Sequence, residues 1–276
     1  MKALLAIRSV ADETAPLAQE LKAHLLSRLG RIRMFPSRDR KGAISGKFSQ
    51  TLMTLWLVAF SLYAAPNPAL ESARERQDRG ELAKLAAEYA TAAEKQPKDA
   101  PGYYRAAVAW SYLSEVASEQ RDRPQAKGAA ESGIKIAEKA VALDGRNSEN
   151  HRVLGTLCGQ VISANVLAGL KWGKCAQEEI NKAVELDPKS AMAQLGRGVG
   201  NYYLPTQLGG SIEQAIKDFD KAIALDAQLA EAHLWRGIAL RKANRNAEAR
   251  KAFERSLQLN PKRVWAKQQL EKTPAQ

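Results

Sequence analysis

From about residue 66 to residue 272 the apolar positions recur with the period of an α-helix, and the runs keep ending in the same way. "KAVALDG" (139–145), "KAVELDP" (182–188), "KAIALDA" (221–227) and the tail of "AFERSLQLNP" (252–261) each close with Leu, then Asp or Asn. In three of the four the next residue is Gly or Pro, which do not continue a helix. Strand-type alternation is not sustained anywhere, and no Asn-Gly hairpin turn occurs. Ala, Leu, Glu, Lys, Arg and Gln dominate, all good helix formers. The pattern predicts an all-α chain.

Aligning the endings gives a repeat. Ala92, Ala140, Ala183, Ala222 and Ser256 hold equivalent places, at spacings of 48, 43, 39 and 34 residues. The last unit, Ala230–Arg263, reads "AEAHLWRGIALRKANRNAEARKAFERSLQLNPKR". Gly237 stands at its eighth place, Leu240 at the eleventh, Ala249 at the twentieth, Phe253 at the twenty-fourth and Pro261 at the thirty-second. Small residues belong where two helices cross, a large ring fills the seam to the next unit, and Pro stops the second helix. Gly198, Ala215 and Phe219 mark a fourth unit, and Leu154, Gly155, Ala176, Ile180 and Pro188 a third. Ala107, Trp110, Gly133 and Ala140 mark a second, and Ala73, Gly80, Leu85, Tyr89 and Pro97 a first. This series resembles the tetratricopeptide repeat (TPR) family over about residues 66–272. Its enlarged middles resemble the long-helix branch of regulator-of-microtubule-dynamics proteins and exported bacterial TPR proteins, including those associated with TRAP transporters. The expectation is a TPR-like α-solenoid of about five helical hairpins, with a helix near Val264–Lys272 capping the open end. The domain organisation is then 1–50 as an N-terminal extension, 51–65 as an apolar segment, 66–272 as the repeat domain and 273–276 as a tail.

In the family resembled, the first helix of each unit lines a concave groove. The matching places here include Pro101, Tyr104, Val108, Ser111 and Tyr112 of unit two, and Arg152, Thr156 and Gln160 of unit three. Leu195, Val199, Tyr202 and Tyr203 follow in unit four, and Leu234, Ile238, Arg241 and Lys242 in unit five. Aromatic, aliphatic and basic side chains together suit an extended or helical peptide with acidic groups. The alternative is that long helices fold the groove shut and turn the tyrosines into core. Arg197 and Arg236 share the seventh place, which is normally apolar. The reading preferred for both is a packed stem with its head in water, against pairing with a buried acid or a ligand anion. "YYLPTQLGGS" (202–211) is a longer connection in which two tyrosines precede Pro205, Gly209 and Gly210.

"TLMTLWLVAFSLYAA" (51–65) is the one long uncharged apolar run, and it is shorter than the roughly 20 residues that span a bilayer. Arg38, Arg40, Lys41 and Lys47 precede it, and Ala64 and Ala65 close it, the order of a signal peptide read from Met34. The expectation is export to the periplasm or envelope, with a membrane anchor at 51–65 as the alternative. Half of the net charge of +12 lies in the first 65 residues, so the repeat domain carries too mild an excess to argue for nucleic acid. His24 falls in the leading segment, and His151 and His233 fall at a packing place of their units. Two cysteines make no zinc site alone, and neither a phosphate loop nor a catalytic triad is present, so neither a cofactor nor a metal is expected. Cys158 and Cys175 stand about equally far from the turn near Asn165. They either close a disulfide in an oxidising compartment or pack as reduced thiols. Two functions compete: a non-catalytic scaffold for another protein outside the cytoplasm, and a small-ligand carrier serving a membrane transporter from a cavity lined by Arg197, Tyr202 and Tyr203.

Overall fold

A computed structural model describes residues 67–275. The N-terminal extension, the apolar run at 51–65 and His24 lie outside the described residues. Eleven α-helices follow one another and, among the described residues, no strand occurs. Five antiparallel hairpins are formed by α1 (Pro68–Glu75) and α2 (Arg79–Glu94), α3 (Ala100–Glu119) and α4 (Arg123–Leu143), α5 (Ser148–Ala164) and α6 (Gly169–Leu186), α7 (Ala191–Tyr203) and α8 (Ile212–Leu225), and α9 (Ala230–Lys242) and α10 (Asn246–Leu259). Helix α11 (Val264–Glu271) covers the end. This is the all-α solenoid of five hairpins and a capping helix that the repeat predicts.

The recurring Leu-Asp endings have a local cause. After the second helix of hairpins two to five, the Asp or Asn turns its side-chain oxygen back on the backbone two residues ahead. Arg146 N donates to Asp144 Oδ1 at 3.3 Å, Lys189 N to Asp187 Oδ1 at 3.0 Å, Gln228 N to Asp226 Oδ1 at 2.9 Å and Lys262 N to Asn260 Oδ1 at 3.2 Å. These Asx turns reverse the chain into the next hairpin and satisfy amides that no helix can. Inside hairpins one, two and five the chain reverses through one left-handed residue, Gln77, Arg121 and Asn244. Each is followed by an amide that bonds back across the helix end: Asp78 N to Ala73 O, Asp122 N to Ala117 O, and Arg245 N to Leu240 O. Asp78 and Asp122 then cap the second helix by accepting from Glu81 N and Gln125 N.

Packing within the hairpins follows the small-to-large pairs. A Cβ on Gly198 would fall 2.5 Å from the ring of Phe219, and one on Gly237 would fall 2.6 Å from that of Phe253. In hairpin three Ile180 plays the ring's part, 2.8 Å from a Cβ on Gly155. Glycine lets the paired helices approach until the partner side chain lies against bare backbone. Phe219 and Phe253 are wholly buried in one core running from α7 to α11, and a second core joins α1 to α4. A disulfide joins Cys158 of α5 to Cys175 of α6, with Cα atoms 6.0 Å apart, within the separation a bridge requires.

Candidate partner-binding surface and closing charge cluster

The first helices α1, α3, α5, α7 and α9 stand side by side and present the places read as a groove. Most of those side chains are committed within the chain. Tyr104 OH donates to Glu149 Oε2 at 3.1 Å, and Arg152 Nε donates to the same oxygen at 2.8 Å. Burial raises the Tyr104 phenol above its ordinary range. Tyr112 OH donates to Glu71 Oε1 at 2.7 Å beneath the Arg74 guanidinium, which lies 4.5 Å from the ring centre. Gln160 Nε2 donates to the carbonyl of Ser111 at 3.1 Å, stapling α5 to α3. Arg241 holds α11, donating to Gln269 Oε1 at 2.6 Å and to Thr273 Oγ1 at 3.2 Å. Leu234 is 0% exposed, so it belongs to the core and corrects its assignment to the partner wall. Hydrophobic burial decides here: Leu234 lies in the core that α9 shares with α7, α8, α10 and α11.

Arg197 corrects the preference for a head in water, whereas Arg236 keeps its head at the surface. Arg197 Nη2 lies 2.7 Å from Asp218 Oδ1, and the Asp218 side chain is 2% exposed. Asn201 and Gln214 also donate to Asp218, so the buried carboxylate has a full set of partners. Arg236 Nε pairs with Asp220 Oδ1 at 2.6 Å, nearer the surface. With Arg197 spent on Asp218, the proposed carrier cavity loses its basic residue. A shallow surface depression open to solvent lies along the end of α2, beside Ala87, Glu88, Thr91, Ala92, Lys95 and Gln96. Among the described residues no cluster of His, Cys, Asp and Glu could hold a metal.

One part of the inner wall remains open. Tyr202 and Tyr203 end α7 edge-to-face, with ring centres 5.0 Å apart. Trp235 of α9 meets them at 5.9 and 6.0 Å, and Trp265 of α11 meets Trp235 at 5.4 Å. Tyr203 is 53% exposed. Lys242, also exposed, places its ammonium 4.3 Å from the Tyr202 ring centre and donates to the Tyr202 carbonyl. Lys242, Tyr202 and Tyr203 were legible as wall residues; Trp235 and Trp265 were missed. The signal for Trp265 was present, since carrying the 34-residue period past Arg263 puts it at the second, wall-facing place.

Beside this patch the two ends of the repeat domain meet. Arg263, which immediately precedes α11, has a side chain 1% exposed. Its Nη2 lies 2.9 Å from Glu115 Oε1 on α3, its Nε 3.0 Å from Glu231 Oε1 on α9, and its Nη1 3.1 Å from Glu119 Oε2. Arg74 of α1 joins the same group, 2.7 Å from Glu115 Oε1 and 3.2 Å from Glu231 Oε1. Gln77 donates to Glu119, and Gln268 of α11 donates to Gln77. Two arginines thus face three buried glutamates, and Glu71, 3.9 Å from Arg74, adds a fourth carboxylate at the edge, so acids outnumber bases. Burial pushes the Glu119 carboxyl up to about 7, opposed by Arg263 and helped by Glu115. Burial also works to raise Glu115, but Arg74 and Arg263 outweigh it and hold that carboxyl below its usual range. Desolvation around its hydroxyl raises the Tyr203 phenol, although the side chain is exposed, and Tyr202, Glu115 and Glu119 act in the same direction.

The pattern of the family "Regulator of microtubule dynamics protein 1-3" matches residues 69–204, and tetratricopeptide-repeat patterns match 208–243 and 230–263. No curated protein matches this sequence. Among solved structures, a thermophilic TPR protein of Thermus thermophilus is 17% identical with a TM-score of 0.51, the match covering 80% of this chain and 98% of that one. The HusA haemophore of Porphyromonas gingivalis is 17% identical with a TM-score of 0.49, covering 72% of this chain and 96% of that one.

Proposed function

From the premise that this chain is a tetratricopeptide-repeat protein, resembling the regulator-of-microtubule-dynamics proteins as far as α7, we propose a non-catalytic scaffold that binds a peptide segment bearing carboxylates. TPR repeats mark a protein-interaction scaffold. The single observation that carries the finer reading is the aromatic patch in which exposed Tyr203 and Lys242 stand over half-buried Tyr202, Trp235 and Trp265. Tyr and Trp give large contact area with few rotatable bonds, which is why they anchor interfaces, and the ammonium selects an acidic neighbour. Titrating the protein with fluorescein-labelled acidic peptides carrying one aromatic residue, and with basic counterparts, tests the reading. Binding of the acidic set alone is expected, lost in Tyr203→Ala and Lys242→Glu and retained in Lys221→Ala on the outer helix α8. Equal binding of basic peptides, or indifference to Tyr203→Ala, overturns it.

We further propose export, for which the sequence of residues 34–65 and the Cys158–Cys175 bridge are the support, since disulfides persist in oxidising compartments. Sequencing the amino terminus of the protein recovered from its host should give a start near residues 65–69. Recovery of intact residues 1–50 on the soluble protein refutes cleavage.

A further inference from the structure

We infer that the charge cluster around Arg263 is a releasable latch: it holds the last turn of the solenoid against the first two hairpins, and its opening uncovers the inner wall. The regulation rests on the reading of that wall as the partner's site. The geometry has three parts. Arg263 reaches across 144 and 148 residues of sequence to Glu119 and Glu115, and Gln268 across 191 to Gln77. Those contacts join α11 and the residue before it to the first two hairpins of the repeat domain. Helix α11 is only 8 residues long, so most of what keeps it in place lies outside itself. It also carries Trp265, so its departure strips one face of the Trp235 ring and widens the aromatic patch.

The cluster is built to be near balance. Taking ionised groups out of water is costly, and mutual attraction repays that only when charges match. Here they do not. The groups facing Glu119 are Arg263, Gln77 and Glu115, with Arg74 and Glu231 one contact further and Tyr203 from α7. When Glu119 holds a proton, the excess of carboxylates over the two arginines, Glu71 at the edge included, falls by one. When it loses that proton, the surplus charge is buried. Its carboxyl is raised in the closed form and returns to the ordinary range, 4.5, when α11 leaves. The closed form therefore binds the proton more tightly. Its advantage is complete below about 4.5, fades as pH rises, and is gone above about 7. Proton linkage then makes opening roughly 20-fold more favourable at about pH 7.5 than at about pH 5.5. A partner's carboxylate acts in the same direction, since it competes with Glu119 for Arg263.

Hydrogen exchange of the full chain, read at the amides of 264–271 and corrected for the pH dependence of intrinsic exchange, tests this. Protection of α11 is expected to fall roughly 20-fold over that pH range. It should fall strongly at both pH values in Arg263→Ala, and it should stay high and flat in Glu119→Gln, which keeps the shape and removes the proton. Protection of α6, which packs on α5 and α7 and supplies no residue of the cluster, should not change and serves as the control for folding. If wild-type α11 protection is independent of pH, or Arg263→Ala leaves α11 protected, there is no latch. If α11 opens as expected but acidic peptides bind no better to Arg263→Ala or at the higher pH, the latch stands and the placing of the partner on the inner wall fails.

Discussion

Two glycines of α7 allow a sharp test of how the hairpins pack. Gly198 and Gly200 are both within the helix, and Gly→Ala at either adds about 1 kcal/mol of helix propensity. Their surroundings differ. A Cβ at Gly198 would lie 2.5, 2.7 and 3.1 Å from three carbons of the Phe219 ring, while one at Gly200 would meet nothing within 4 Å. Normal carbon contacts need about 3.5–4.0 Å, so the ring has to retreat by about 1 Å. It has nowhere to go: Phe219 is 0% exposed and Trp235 lies stacked beyond it at 6.4 Å. Overpacking of this kind costs about 1–3 kcal/mol. Gly200→Ala should therefore stabilise by up to about 1 kcal/mol, and Gly198→Ala should be neutral or destabilise by up to about 2 kcal/mol. Because propensity cancels between the two, their difference of about 1–3 kcal/mol is the overpacking alone, a melting shift of several degrees at this size. Urea and thermal unfolding followed by tryptophan fluorescence measure it. Adding Phe219→Leu should abolish the penalty of Gly198→Ala, giving a non-additive pair. Equal effects of the two alanines, or additivity with Phe219→Leu, would refute the small-to-large account of these hairpins.

The charged pairs and the disulfide give further expectations. Arg197→Met strands a carboxylate that is 2% exposed and should cost about 3 kcal/mol in urea unfolding, whereas Arg236→Met, beside the half-exposed Asp220, should cost less than about 1 kcal/mol. Cys158→Ser with Cys175→Ser opens a link across 17 residues and should lower stability by about 3 kcal/mol, with the connection at 165–169 becoming the first site of limited proteolysis. Unchanged unfolding of the double serine variant, matched by two alkylatable thiols in the unreduced parent, would show that the bridge is not formed in solution.

What the sequence carried was what repeats. Gly237 with Phe253 and Gly198 with Phe219 are one device used twice, and its period shows through the insertions because each copy solves the same crossing problem. The Asp and Asn endings were visible for the same reason, though their Asx turns were not. The candidate site was harder because it is made of what does not repeat. Glu115, Glu119 and Glu231 look like ordinary solvated helix charges, and nothing local distinguishes Arg263 from Arg245. Only the accumulated rotation of five hairpins brings residues 144 apart into contact, and that rotation is a sum of small angles set by helix lengths that vary from unit to unit. Tyr112, Arg241 and Leu234 are engaged more locally, by the neighbouring hairpin, the capping helix and the core of their own hairpin.

The chemistry of the closure bears on why it exists. If joining the two ends served stability alone, aliphatic side chains at positions 74, 115, 119, 231 and 263 would do it better, since a well-packed apolar cluster avoids the desolvation of five ionised groups. An apolar closure would also be permanent: each buried leucine contributes about 1.5–3 kcal/mol, and several together would not release under any change of solution. A charged closure differs in kind. Its attraction and its desolvation are both large and nearly equal, so one proton on Glu119, or one competing carboxylate at Arg263, is enough to move the balance.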